Sequence, residues 1–120
     1  MRDFHRIQIW RRAHALAIAI HGVAKELRGN EFATLRSQLT RAADSMAANI
    51  VEGAGSASTR EFARFLDISN KSASETEYHL LSARDREVLS EHRWQLLTIE
   101  TAEIRRMTYA YRKRLLDSPS

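Results

Sequence analysis

The chain has 120 residues, the usual length of one domain, and 43% of them are hydrophobic, which is enough for one core. It contains no cysteine, which excludes disulfides and thiolate metal sites and favours a reducing compartment such as the cytoplasm. The formal net charge is +4, from 19 Lys and Arg against 15 Asp and Glu. The start of the chain lacks the apolar run of a signal peptide, and no segment is apolar for long enough to predict a membrane span.

Apolar residues recur at steps of three and four in four segments, which predicts four helices. The first helix is predicted over about residues 8–27 and ends before Gly29, with Asn30 as the cap of the next helix. The second is predicted over about residues 31–52, because the glycines at Gly53 and Gly55 should stop it.

The third helix is predicted over about residues 59–86, where Ser58 and Glu61 form a capping-box pattern. The fourth is predicted over about residues 91–116, with Ser90 as its N-cap. Its inward residues follow strict 3-4 steps, the period of left-handed helix packing: Trp94, Leu97, Thr101, Ile104, Thr108, Tyr111 and Leu115. A short polar tail, residues 117–120, follows.

Four helices of about 20 residues with short connections favour antiparallel neighbours. The sequence therefore predicts an all-α fold, an antiparallel up-down four-helix bundle, as a single domain over residues 1–120. In such a bundle the two ends of the chain meet at one pole. Residues 1–12 sum to +3 and residues 105–117 to +4, so the rest of the chain sums to −3 and the pole should be strongly basic.

A cationic face on the fourth helix, rotated away from the buried seam and so expected to be exposed to solvent, is the candidate binding site. Guanidinium groups around an exposed tyrosine can bind phosphates and offer a ring for stacking on a base. The predicted nucleic-acid contacts are Arg105, Arg106, Tyr109, Arg112 and Lys113, with Arg11 and Arg12 nearby. The alternative is a solvated face, since cations are favoured in the last turns of any helix. The charge pattern alone leaves both interpretations open.

A polar stripe lies beside the apolar stripe of the second helix, and a matching one lies on the third. Its members are Gln38, Arg41, Ser45, Asn49 and Glu52 on the second helix, with Ser72, Glu75 and His79 on the third. Partly buried polar groups need partners, so we expect a structural network within or between subunits. The leading predicted pair is Arg41 with Glu75. A ligand or catalytic pocket is the alternative.

The sequence shows no pattern of catalytic, metal-binding or cofactor-binding residues. His14 and His21 lack the Glu-x-x-His spacing of a di-iron bundle. The glycine turn after the second helix could hold an anion, but it lacks the P-loop lysine and the dinucleotide fingerprint. We therefore expect no catalytic residue, no metal and no cofactor.

A set of residues from Phe4 to about Arg84 matches a known family pattern, and the stretch from Arg41 to Gly53 is its specific part. The matching residues are Phe4, Ile7, Trp10, Ala13, Gln38, Arg41, Ala42, Ser45, Met46, Asn49, Ile50, Glu52, Gly53, Glu61, Phe62, Phe65, Leu66, Ser72, Glu75 and Glu77. On these residues the chain resembles a family of four-helix bundle proteins encoded by intervening sequences in bacterial 23S ribosomal RNA genes, which is related to the accessory variability determinant of diversity-generating retroelements. Thr34, Lys71, Thr76 and the Gly55-Ser56 pair depart from the pattern.

The resemblance implies an up-down bundle that assembles as a homopentamer. Its retroelement relatives are basic, bind nucleic acid and associate with a reverse transcriptase, and no member is known to be an enzyme. The expected function is a non-enzymatic, homo-oligomeric nucleic-acid-binding accessory protein that assists such a reverse transcriptase or binds structured RNA. The alternative is a structural or protein-interaction oligomer.

Overall fold

Four long helices form the protein. The computed structural model describes residues 2–118 and places helices at α1 (Gln8–Ala24), α2 (Ala33–Ala54), α3 (Thr59–Asp85) and α4 (Glu91–Asp117). Single 3-10 turns at Phe4–Arg6 and Asn30–Phe32 precede α1 and α2. The helices run up and down in a bundle of 50 × 22 × 20 Å, which confirms the predicted antiparallel four-helix fold. Residues 119 and 120 of the predicted polar tail lie outside the described range.

The core is formed by the predicted apolar stripes. Its largest fully buried apolar side chains are Ile20, Leu39, Met46, Ile50, Leu66, Leu80 and Ile104. The α2–α3 interface is the most extensive, and α1 and α4 share the smallest interface of the neighbouring pairs. Of the predicted seam of α4, Thr101, Ile104, Thr108 and Leu115 are buried, and the others are half-buried.

The turn between α1 and α2 differs from the prediction. α1 ends at Ala24, three residues early, and Gly29 takes a positive φ of 99° that favours glycine. The guanidinium of Arg36 donates hydrogen bonds to the carbonyls of Leu27 and Gly29, which helps to close the turn. Asn30 opens the 3-10 turn instead of capping α2, so that capping prediction was wrong.

Serine caps begin the other two helices. The Ser58 hydroxyl accepts a hydrogen bond from the Glu61 amide at 3.0 Å, and the Ser90 hydroxyl accepts one from the Arg93 amide at 3.2 Å. The reciprocal half of the predicted capping box is absent, because the Glu61 carboxylate instead accepts a hydrogen bond from Arg64 at 2.7 Å. That contact lowers the pKa of Glu61.

Gly53 is a packing residue. α2 continues through it to Ala54, so the predicted stop was two residues early. A Cβ at Gly53 would lie 2.5 Å from Cδ1 of Phe62 and 3.0 Å from Cβ of Phe65. Glycine therefore permits the close approach of α2 and α3.

Both chain ends meet the α2–α3 turn at one end of the bundle. The Arg2 amide donates a hydrogen bond to the Ala54 carbonyl at 2.8 Å, and the rings of Phe62 and Tyr111 lie 5.7 Å apart. Arg2 also lines a small cavity together with Arg114 and other residues of the last turns of α4. We call this end, comprising residues 2–12, 52–64 and 105–118, the terminal pole.

Candidate nucleic-acid interface

The predicted cationic face of α4 is only partly solvated. Tyr109 is 63% exposed, and Arg106 and Lys113 are also exposed. Arg105 and Arg112 are half-buried and turned towards α3. The expectation that this whole face points to solvent was therefore wrong for these two arginines, which lie on the side of α4 that packs against α3.

Carboxylates neutralise three of the predicted phosphate contacts on α4. Nη2 of Arg105 lies 3.2 Å from Oε1 of Glu77, and Nε of Arg112 lies 2.7 Å from Oδ1 of Asp67. Both pairs connect α4 to α3. Nη2 of Arg106 lies 2.7 Å from Oε2 of Glu103, one turn earlier on the same helix. These cations attract phosphate less than their number suggests, because each has a local counter-charge.

Arg12 links α1 to α4. Its guanidinium donates to both carboxylate oxygens of Glu100, at 2.6 and 3.0 Å, in the fork geometry of a bidentate pair. Nη1 also lies 2.9 Å from Sδ of Met107. The hydrogen bond to Glu100 is the main reason that the pKa of Arg12 is raised. Arg12 therefore acts as a structural link, whereas Arg11 is exposed and donates to the His5 carbonyl at 2.9 Å.

Exposed cations without a carboxylate within 4 Å concentrate at the terminal pole. Within residues 2–118 this end of the bundle holds six of them: Arg2, Arg6, Arg11, Arg60, Lys113 and Arg114. Only two carboxylates there, Glu52 and Asp117, are likewise without a partner. The predicted basic pole therefore exists, but of the seven predicted contacts only Arg11 and Lys113 are among its available charges.

The polar stripe forms a smaller network than predicted. The Ser72 hydroxyl donates to the Ser45 hydroxyl at 2.7 Å, and Nδ2 of Asn49 donates to the carbonyl and hydroxyl oxygens of Ser45 at 2.8 and 2.9 Å. The buried Ser69 hydroxyl adds a bond to the Met46 carbonyl at 2.9 Å. These short side chains fit between closely packed backbones and join α2 to α3.

The long members of the stripe lie outside this network. Gln38, Arg41, Glu52 and Glu75 are exposed, and Arg41 and Glu75 form no ion pair within the described part of one chain. The predicted Arg41–Glu75 pair was wrong for the single chain, because long side chains beside a core stripe extend their charged ends into water. A pair between subunits stays a prediction.

The histidines occupy separate environments. The ring of His14 stacks on Trp10 at 5.1 Å, and Nε2 of His21 lies 2.8 Å from Oδ2 of Asp44. Burial of His79 lowers its pKa, and Glu75 opposes that shift. No group of three His, Asp or Glu side chains that could hold a metal occurs among residues 2–118. No helix in this range is long and apolar enough to cross a membrane.

The family model for 23S rRNA-intervening sequence proteins matches residues 5–110 of the chain. The chain belongs to this family. A crystal structure from the S23 ribosomal protein family, that of a Bacteroides thetaiotaomicron protein with unknown function, is also similar. It shares 24% identity and a TM-score of 0.82, over 88% of this chain and 98% of that one, which shows a common fold. No curated protein matches the chain.

Family membership confirms the first part of the resemblance found in the sequence. The relation to the retroelement accessory proteins stays a prediction. The sequence predicted contacts at five residues of α4 with Arg11 and Arg12 nearby, and its two basic segments, residues 1–12 and 105–117, contain all of the six unpaired cations except Arg60. No periodic signal marks Arg60, because it joins the other cations only where the α2–α3 turn meets both chain ends. The pole presents an excess of exposed positive charge, an arrangement suited to a polyanion.

Proposed function

We propose that the protein is a non-enzymatic nucleic-acid-binding protein that contacts the phosphate backbone through its terminal pole. The observation that supports this is the excess of six exposed, unpaired cations over two unpaired carboxylates at that end of the described chain. Five of the six are arginines, whose planar groups suit phosphate oxygens. Contacts of this kind position a nucleic acid without reading its sequence.

Salt dependence is the expected signature of such a surface. If about three phosphates are neutralised per subunit, the slope of log affinity against log salt is about −3 for a duplex. Raising the salt from 50 to 200 mM should then weaken binding by about 50-fold. Binding that is insensitive to salt, or absent at 50 mM salt, would contradict the proposal.

Matched charge removals locate the contact. Arg6→Ala with Lys113→Ala removes one arginine and one lysine from the pole, and Arg28→Ala with Lys25→Ala removes the same types from the opposite end. All four side chains are exposed and have no carboxylate within 4 Å in the described structure. Fluorescence anisotropy with a labelled oligonucleotide should show that only the pole variant loses affinity, by about tenfold, and has a smaller slope of log affinity against log salt. Equal losses of affinity for both variants would refute a binding site at the terminal pole.

Self-association into a homo-oligomer, which the resemblance sets at five subunits, is part of the proposal. Ile18, Leu96 and Ile99 are large apolar side chains that are 61%, 56% and 64% exposed. Burying them between subunits would place the terminal poles of several subunits around one axis, so weak phosphate contacts would add by avidity. Light scattering on the pure protein measures the subunit number.

The runner-up is a structural or protein-interaction oligomer without a nucleic-acid role. It is favoured by the engagement of Arg12, Arg105, Arg106 and Arg112 with carboxylates, which removes four of the seven contacts first predicted. Capture of a partner protein that survives nuclease treatment, together with no oligonucleotide binding at low salt, would support it.

The identity of the nucleic acid and of any partner follows from the resemblance alone. Structured RNA and a retroelement reverse transcriptase are the two candidates. A titration series with structured RNA, single-stranded RNA and duplex DNA of matched sequence ranks the nucleic acids. Co-expression with the reverse transcriptase of a neighbouring gene, followed by co-purification in nuclease, tests the protein partner.

A further inference from the structure

A cleft between α3 and α4 has its α4 wall within the terminal pole, but none of the pole's six unpaired cations lines it. Its volume is about 790 Å³, and its walls include Asn70, Lys71 and Ser74 from α3 with Arg106 and Tyr109 from α4. Asp67 and Arg105 also line it, and these two and Arg106 each face an oppositely charged side chain, but Arg106 is held only at Nη2. The groups left to interact with a ligand are therefore one ring, one lysine, the rest of the Arg106 guanidinium, one amide and one hydroxyl.

The ring of Tyr109 is available for stacking. It is 63% exposed and stacks on no other ring in the described structure. An exposed aromatic face in a cationic setting is the usual platform for an unpaired nucleobase. A base within a duplex is already stacked on both faces, so such a platform favours single strands.

Three polar side chains on the α3 wall of the cleft lack partners of their own. No side-chain hydrogen bond or ion pair of Asn70, Lys71 or Ser74 occurs between residues 2 and 118. Arg106 is bound at Nη2 alone, and Nε of Arg105 is buried without an acceptor. An amide can read the edge of a base, and two cations can bind its flanking phosphate.

The cleft is continuous with the pole. Arg106, Tyr109 and Lys113 are spaced 3 and 4 apart along α4 and so share one face of the helix. Seven residues of helix span about 10 Å, so a strand leaving the cleft would soon reach Lys113. Lys113 is one of the six unpaired cations of the terminal pole.

We propose that this cleft binds one nucleotide of a single strand. The base stacks on Tyr109, its edge faces Asn70 and Ser74, and the flanking phosphate lies between Lys71 and Arg106. The inference rests on the proposed function, because the pole supplies the backbone contacts that bring the strand to the cleft. It adds a preference for single strands over duplex, which the pole alone does not produce.

The test compares three tyrosine variants by anisotropy at 50 mM salt. The probes are 12-nucleotide single strands of RNA and of DNA and a duplex of the same sequence. Tyr109→Ala should weaken binding of the single strands about 10- to 100-fold and leave the duplex unchanged. Tyr109→Phe, which keeps the ring, should stay within about twofold of wild type. Tyr78→Ala is the matched control, because Tyr78 is 64% exposed on α3 and lies outside the cleft lining.

The outcomes separate this cleft from the proposed function. If Tyr109→Ala binds single strands as wild type does, while Arg6→Ala with Lys113→Ala still weakens binding, the cleft assignment is overturned and the pole stands. An equal loss with Tyr78→Ala, or an equal loss on the duplex, also overturns the cleft. If the wild type binds none of the three probes, both proposals fail. Circular dichroism should be unchanged in every variant, since both tyrosines are exposed.

Discussion

Replacing Gly53 with alanine tests the close contact between α2 and α3 directly. The added Cβ would lie 2.5 Å from Cδ1 and 3.0 Å from Cε1 of Phe62, and 3.0 Å from Cβ of Phe65. Ordinary van der Waals contact begins near 3.4 Å, so the groups must separate by almost 1 Å. The ring of Phe62 is 3% exposed and lies against Tyr111, and Cβ of Phe65 moves only with the backbone of α3.

Two opposing terms set the magnitude. Alanine favours a helix over glycine by about 0.8–1 kcal/mol. Overpacking of a close-packed interface costs about 1–3 kcal/mol, and a shift of this size against backbone belongs at the upper end. We expect Gly53→Ala to lower the free energy of unfolding by about 1–2 kcal/mol net, which is a fall in Tm of about 4–8 °C.

Gly22 supplies the matched control. It lies within α1, and a Cβ there would meet nothing within 4 Å. Gly22→Ala has only the propensity term, so it should stabilise the protein by about 0.5–1 kcal/mol and raise Tm. Urea denaturation and thermal melts followed by circular dichroism measure both variants at one protein concentration, because an oligomer's Tm depends on concentration.

A rise in Tm for Gly53→Ala equal to that for Gly22→Ala would refute the close contact. A Phe62→Leu background gives a second check. The smaller side chain makes room for the new methyl group, so Gly53→Ala should lose much less stability there than in the wild type. An identical loss in both backgrounds would show that the clash is not with the Phe62 ring.

Three further predictions concern a histidine, an ion pair and a turn. Burial lowers the pKa of His79 in the folded protein, so below about pH 6.5 the unfolded state takes up a proton first. The free energy of unfolding should therefore fall as pH falls through this window. In urea titrations between pH 7.5 and 5, it should fall less steeply for the His79→Gln variant than for the wild type. A double-mutant cycle of Arg12→Met and Glu100→Gln should give an interaction free energy of about 0.5–1 kcal/mol for this pair, a small value because solvent screens both half-exposed groups. An interaction free energy of zero would show that the pair does not stabilise the contact between α1 and α4. Glu87 has a φ of 63°, so Glu87→Gly should raise stability by about 0.5–1 kcal/mol in thermal melts, and a lower Tm would argue against strain there.

The periodicity of apolar residues was sufficient for the fold. A stripe at steps of three and four reports which side of a helix is buried, and it does so without knowledge of the neighbouring helix. The caps at Ser58 and Ser90 were equally local, since a side chain there reaches an amide three residues away. Gly53 was misread as a helix stop because its close contact is made by α3, which the local sequence cannot report.

The candidate site depended on distances between helices. The sequence correctly gathered cations at the two ends of the chain, because antiparallel helices must return those ends to one pole. It could not show that Arg105, Arg112 and Arg12 lie opposite Glu77, Asp67 and Glu100, since these partners are 28, 45 and 88 residues away along the chain.

Helix formation, the serine caps of α3 and α4 and the side of each helix that is buried were thus determined by the sequence alone, since each depends on residues within about one turn of one another. The choice between a phosphate-binding arginine and one engaged by a carboxylate was decided by the tertiary structure. Electrostatic attraction depends on distance in space, and a separation of 3 Å across two packed helices leaves no trace in the spacing of either one.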